Sequence, residues 1–104
     1  MAKIPIRVID AVKKFKTAVK THLNVKKVFI FGSYAKGGFT KDSDIDVCVI
    51  ADNIENNFMA MLDIAPLSIG VDTRIEPVVY SYEDYKEKRS FGLLGEVKRY
   101  GVEV

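Results

Sequence analysis

The stretch Gly32-Ser33-Tyr34-Ala35-Lys36-Gly37-Gly38-Phe39-Thr40-Lys41-Asp42-Ser43-Asp44-Ile45-Asp46-Val47 decides how this chain reads. Before it lies Val25 to Phe31, in which Val28-Phe29-Ile30-Phe31 is β-branched or aromatic throughout, the composition of a buried strand. After it the residues alternate, Asp44, Asp46, Cys48 and Ile50 against Ile45, Val47 and Val49, which predicts a second strand from Asp44 to Ala51 with polar groups at its start. Residues i and i+2 of a strand share a face, so the Cα atoms of Asp44 and Asp46 are expected roughly 6.5–7 Å apart with parallel side chains. Carboxylates that close repel each other unless a cation compensates them, and hard oxygen ligands of this kind suit Mg2+ or Mn2+. A pair of such ions ~3.5–4 Å apart is a known device for phosphoryl-type transfer.

The glycines supply the complementary half. A strand that ends in Gly32-Ser33 before a tight turn frees backbone N–H groups for phosphate oxygens. Gly32 lets a ligand approach closely, and Ser33 can donate its hydroxyl to the same anion or cap a short helix beginning near Tyr34. A phosphate cradle beside a metal pair points to a nucleoside polyphosphate. A calcium loop does not fit, because Val47 stands where glycine is needed and Asn53 where the last carboxylate belongs. A P-loop does not fit either, since no Gly-Lys-Ser/Thr follows and Gly-x-Gly-x-x-Gly is absent.

Outward from this segment, apolar residues at Ile9, Val12, Phe15, Val19 and Leu23 predict a helix from Pro5 to about Leu23, with Asn24 as its C-terminal cap. Asp52 with Glu55 three residues on reads as a capping pair for another helix, presenting Ile54, Phe58, Met61, Leu62 and Ala65 inward and stopped by Pro66. Met59 and Met61 read as core by spacing. Val71 to Tyr80 reads as a strand placed at an edge or bend by Pro77. Ser81 caps a short polar helix, and Phe91, Leu94 and Val97 mark a last helix closed by Gly101 before a short tail. Tyr34 is read as packing, Cys48 as a small buried hydrophobe and His22 as a helix-end residue rather than a catalyst. Lys13, Lys14, Lys16 and Lys20 form a solvated helix face, and Lys41 and Asp42 belong to a solvated turn.

With 104 residues, 48% hydrophobic and 29% charged, the composition is that of one ordinary globular domain, residues 1–104, without repeat or linker. The net charge of only +2, from 16 basic and 14 acidic side chains, argues against a nucleic-acid backbone as the default partner. Cys48 is the only cysteine, which suits a reducing compartment. Met1 to Lys20 is amphipathic and basic but lacks the apolar run of a secretory signal, and no stretch reaches the ~20 apolar residues of a membrane helix. The expectation is a cytoplasmic protein.

Gly32-Ser33-Tyr34-Ala35-Lys36-Gly37 followed by Ser43-Asp44-Ile45-Asp46-Val47 resembles the signature of the minimal nucleotidyltransferase family, within the DNA polymerase β-like superfamily. The resemblance implies an α/β fold, a polymerase β-like core in which helices flank a small mixed sheet, and one catalytic domain. It implies that Asp44 and Asp46 bind two Mg2+ ions (or Mn2+) and that a third acid, Glu76 in Arg74-Ile75-Glu76, joins them, with Asp72 as its competitor. Gly32 and Ser33 would hold the β- and γ-phosphates and Lys36, where members carry arginine, would touch the triphosphate. An acceptor hydroxyl would attack the α-phosphorus and release pyrophosphate. The implied partners are a nucleoside triphosphate, ATP first, and a HEPN-domain protein for which the chain serves as antitoxin, or a homodimer; tRNA or another RNA stays open as acceptor, and no membrane is involved. A reading of a different class is a non-catalytic module that neutralises its partner by contact. Antibiotic-modifying transferases resemble the chain only in the catalytic core.

Overall fold

A computed structural model describes residues 3–104, so Met1 and Ala2 of the basic N-terminal stretch lie outside the described residues. Helix α1 (Ile6–Val19) starts at Pro5, whose fixed φ of −57° suits a helix entry. Its buried stripe is Val8, Val12, Phe15 and Val19, with Ile9 and Leu23 half-buried against the same core, so the expected face is the one that packs, with Val8 added to it. The helix ends at Lys20 rather than Asn24, because the Thr21 hydroxyl donates to the Ala18 carbonyl and Asn24 already pairs with Asp52 in the sheet.

Strand β1 (Asn24–Phe31) runs into helix α2 (Ser33–Lys36), a single turn, and the chain returns as β2 (Ile45–Asp52), antiparallel to β1. Asp52 stays in that ladder and does not cap the next helix. Asn53 turns at φ 57°, and α3 (Asn57–Ile64) begins only after Asn56, whose Oδ1 accepts from the Met59 N–H at 2.9 Å. Ala60 and Ile64 are buried and the expected Ile54 and Met61 pack against the same core, while Phe58 (62% exposed), Met59 (55%) and Leu62 (46%) face outward, contrary to expectation. As expected, the α-helix stops ahead of Pro66, ending at Ile64, and the chain continues as a 3-10 segment, Ala65–Gly70, in whose first turn the missing proline N–H costs nothing.

Strand β3 (Ile75–Ser81) pairs parallel with β2 and forms one edge of the sheet, the position in which Pro77 is tolerated. It begins later than Val71, because residues 71–74 form the turn into it. The Ser81 hydroxyl caps α4 (Tyr82–Lys86) by accepting from the Asp84 N–H, and α5 (Gly92–Tyr100) closes at Gly101. The expected tail is instead a strand, β4 (Val102–Glu103), antiparallel to the outer edge of β1 and continued by the Val104 N–H to the Val28 carbonyl. The sheet order is β3-β2-β1-β4, a mixed four-stranded sheet. One face, with Val28, Ile30, Ile45, Val47 and Val49, packs on α1, α3 and Tyr34. The other, with Phe29, Phe31, Cys48 and Ile50, packs on Leu94 and Val97 of α5 and on Tyr82 and Tyr85 of α4. Among the described residues no helix is long and apolar enough to cross a membrane.

Candidate active site

Everything of chemical interest gathers where β1 ends and β2 begins. Gly32 takes φ 70°, ψ −143°, a conformation open to glycine and closed to side-chain-bearing residues. A β-carbon there would lie 2.2 Å from Asp46 Oδ2, so the carboxylate rests against the bare Cα. The Gly32 carbonyl accepts the first helical bonds of α2, from the N–H groups of Ala35 and Lys36. Gly32 is thus the N-cap, and Ser33 is the first helical residue without a side-chain cap bond, contrary to its expected capping role. Its hydroxyl is left for another partner. Tyr34 is fully buried and stacked on Phe39 at 4.6 Å, and its hydroxyl donates to the Thr40 carbonyl. That contact and the Thr40 N–H bond to Ser43 Oγ steer the loop back to Asp44.

Asp44 stands exposed just before β2 and Asp46 is half-buried one pleat on. Asp46 lies in register between Phe31 of β1 and Glu76 of β3. Its carboxyl is pushed above the usual carboxylate range, first by burial and then by the negative charges of Glu76, Asp44 and Glu96. Asp72, by contrast, sits in the turn before β3 and not on its face. It accepts hydrogen bonds from the backbone N–H, Nε and Nη2 of Arg74 at 2.9, 3.1 and 2.8 Å, which hold its carboxyl below the ordinary range. Arg74 also donates to the Lys41 carbonyl, so Asp72 is committed to tying this turn to the loop before Asp44. Between the two candidate third acids, only Glu76 is in register with Asp46.

The donor set of Asp44, Asp46 and Glu76 is all hard oxygen and mutually repulsive, the chemistry that a divalent cation relieves. The acids are not drawn into a closed cage, since among the described residues no three His, Cys, Asp or Glu side chains stand close enough to enclose an ion. Lys36 projects from the end of α2 to an ion pair with Glu96 of α5 and lies over the Tyr100 ring, 5.3 Å from its centroid. Glu96 carries no signal in the sequence. It falls between the core positions Leu94 and Val97, and only the meeting of α2 with α5 makes it part of this site. Cys48 shares the Asp46 face but is fully buried, its thiol pushed up to about 12, which rules it out as a nucleophile. A concavity of about 630 Å³ lies at the opposite end of β2, lined by Asp52, Asn56, Ser81 and Asp84 among others, and reaches none of Asp44, Asp46, Glu76 and Glu96.

Comparison with known proteins gives the family and the fold. The family model described as nucleotidyltransferase domain matches residues 12–100. A Methanocaldococcus jannaschii chain, named provisionally as protein adenylyltransferase MJ0141, is 32% identical over 104 residues, covering 95% of this chain and 100% of that one. The crystal structure of a provisionally named nucleotidyltransferase from Sulfolobus solfataricus superposes with a TM-score of 0.67 at 24% identity, covering 94% of this chain and 79% of that one. A crystal structure of a toxin–antitoxin with AMP-PNP gives a TM-score of 0.63 at 22% identity, covering 90% of this chain and 69% of that one. At these identities the two structures establish a shared fold.

Proposed function

Because the chain belongs to the nucleotidyltransferase domain family and is an enzyme of that class, we propose that it moves AMP from ATP to a hydroxyl group of a partner protein. The observation that carries this reading is the register of Asp46 opposite Glu76, with the Asp46 carboxylate lying against Gly32. Asp44, Asp46 and Glu76 are the residues that would hold Mg2+, which would supply charge stabilisation for the attacking and leaving oxygens. The Gly32 backbone, the Ser33 hydroxyl and the Lys36 ammonium take the β- and γ-phosphates. The acceptor oxygen forms its bond to the α-phosphorus as the bond to pyrophosphate breaks, and its proton leaves to water. The 32% identity to a chain named for protein adenylylation supports a protein acceptor, and the fold shared with a toxin–antitoxin complex holding AMP-PNP supports ATP and a toxin partner, for which we propose a HEPN-domain protein. We assign the activity to the cytoplasm, where ATP and a reducing medium suited to a lone thiol occur together.

The test is label transfer from ATP with magnesium into the partner, with label at the α- or the γ-phosphate and Asp44→Asn/Asp46→Asn protein as control. Label from the α-position alone, lost in the control, is the expected result. Label from the γ-position alone would mean kinase chemistry and would overturn the reading. No label from either, with the doubly substituted protein still neutralising its partner, would assign the chain to a contact-only module.

A further inference from the structure

We propose that Glu96 is a positioning residue for the nucleotide, acting through Lys36. The inference rests on the nucleotidyl-transfer reading above and adds to it a residue that is 60 positions from its partner in sequence. Lys36 stands one helical turn from Gly32, whose carbonyl accepts its N–H at 3.0 Å, and so leaves α2 at the lip of the proposed phosphate turn. A lysine there has a weakness. Its four-carbon stem is flexible and its ammonium is a point charge without the rigid fork of a guanidinium, so holding it ready costs rotamer entropy.

The structure supplies the restraint from α5. Glu96 Oε1 engages the ammonium, and the face of Tyr100, one turn further along the same helix, lies beneath it. The Glu96 contact uses one of the three N–H donors and leaves two for phosphate oxygens. Glu96 is itself well anchored, because Leu94 and Val97 on either side of it are buried against Phe29 and Phe31, the strand that ends in Gly32. Packing and one ion pair therefore link the strand end, the phosphate turn and the ammonium through α5. The Glu96 carboxylate is also among the charges felt by Asp46, which sets the pair on the acid side of the turn. A half-exposed ion pair of this kind adds little to folding stability, and its consequence belongs in nucleotide affinity.

The test measures Kd, KM and kcat for ATP with magnesium on the full chain. Glu96→Gln is expected to raise Kd and KM about fivefold with kcat within about twofold of wild type. Glu96→Asp should recover most of the loss. In a Lys36→Arg background, where the side chain carries its own fork, Glu96→Gln should cost much less. Unchanged or tighter binding in Glu96→Gln overturns the proposal, as does an equal penalty in the Lys36→Arg background. Should Glu96→Gln fail to fold, Glu96→Ala is read by the same criteria. Wild-type protein that neither binds nor uses ATP would sink the nucleotidyl-transfer reading itself, whereas wild-type turnover with an indifferent Glu96→Gln removes only the role of Glu96.

Discussion

A β-carbon at position 32 meets two obstacles, a φ of 70° and the Asp46 carboxylate 2.2 Å away. Gly32→Ala is therefore expected to cost about 1–3 kcal/mol of stability and to lower nucleotidyl transfer at least ~100-fold by displacing Asp46, as read from urea melts and kcat. Asp46 and Asp72 carry opposite signs of pH dependence. The raised pKa of Asp46 means that its ionised form is disfavoured in the fold, so what it contributes is present in acid and lost as pH rises through its folded value. At pH 7, without divalent metal, Asp46→Asn should be more stable than wild type by ~1 kcal/mol while losing activity, and added Mg2+ should raise the wild-type Tm alone. Asp72 is lowered by its hydrogen bonds from Arg74, so its contribution is present above the ordinary carboxylate range and lost as pH falls through its folded value. Asp72→Asn should destabilise the protein by ~1 kcal/mol at pH 7, a gap that closes below about pH 4 in denaturant melts.

Among the elements, α3 shows how far a sequence pattern carries. Asp52 and Glu55 have the spacing of a capping pair, yet the ladder holds Asp52 opposite Asn24 and the cap falls to Asn56. Asn56→Ala should cost ~1 kcal/mol in thermal melts, and Asp52→Ala should leave the start of the helix in place. Local periodicity made β1 and β2 legible because each is a long run with one composition or one alternation, and it made the Gly32 to Asp46 segment legible because its chemistry is contiguous. It failed where the answer lay in pairing. Asp72 and Glu76 share a face only if the strand includes both, and the Asp72–Arg74 hydrogen bonds end it before it reaches Asp72. Strand β4 is two residues long, too short for any alternation to register, and Glu96 acquires a role only when α5 packs beside α2.

At the scale of the molecule, the two faces of the sheet divide the burden. Ile30, fully buried under α1 and α3, should cost about 2–5 kcal/mol as Ile30→Ala, a large share of the ~5–15 kcal/mol of a typical small protein. Phe58→Ala on the outward face of α3 should stay within about 0.5 kcal/mol, both measured by urea unfolding of the full chain. The pairing of β1 with β4 has a consequence for biosynthesis. Glu103 follows Phe29 by about seventy residues, so at ribosomal rates the outer edge of β1 waits about 4–15 s for its cover. During that interval the nascent chain exposes unpaired amide and carbonyl groups to every neighbouring polypeptide. Lys27, whose later partner is Glu103, puts a charge beside that waiting edge, a feature that discourages a foreign strand from taking the place of the chain's own.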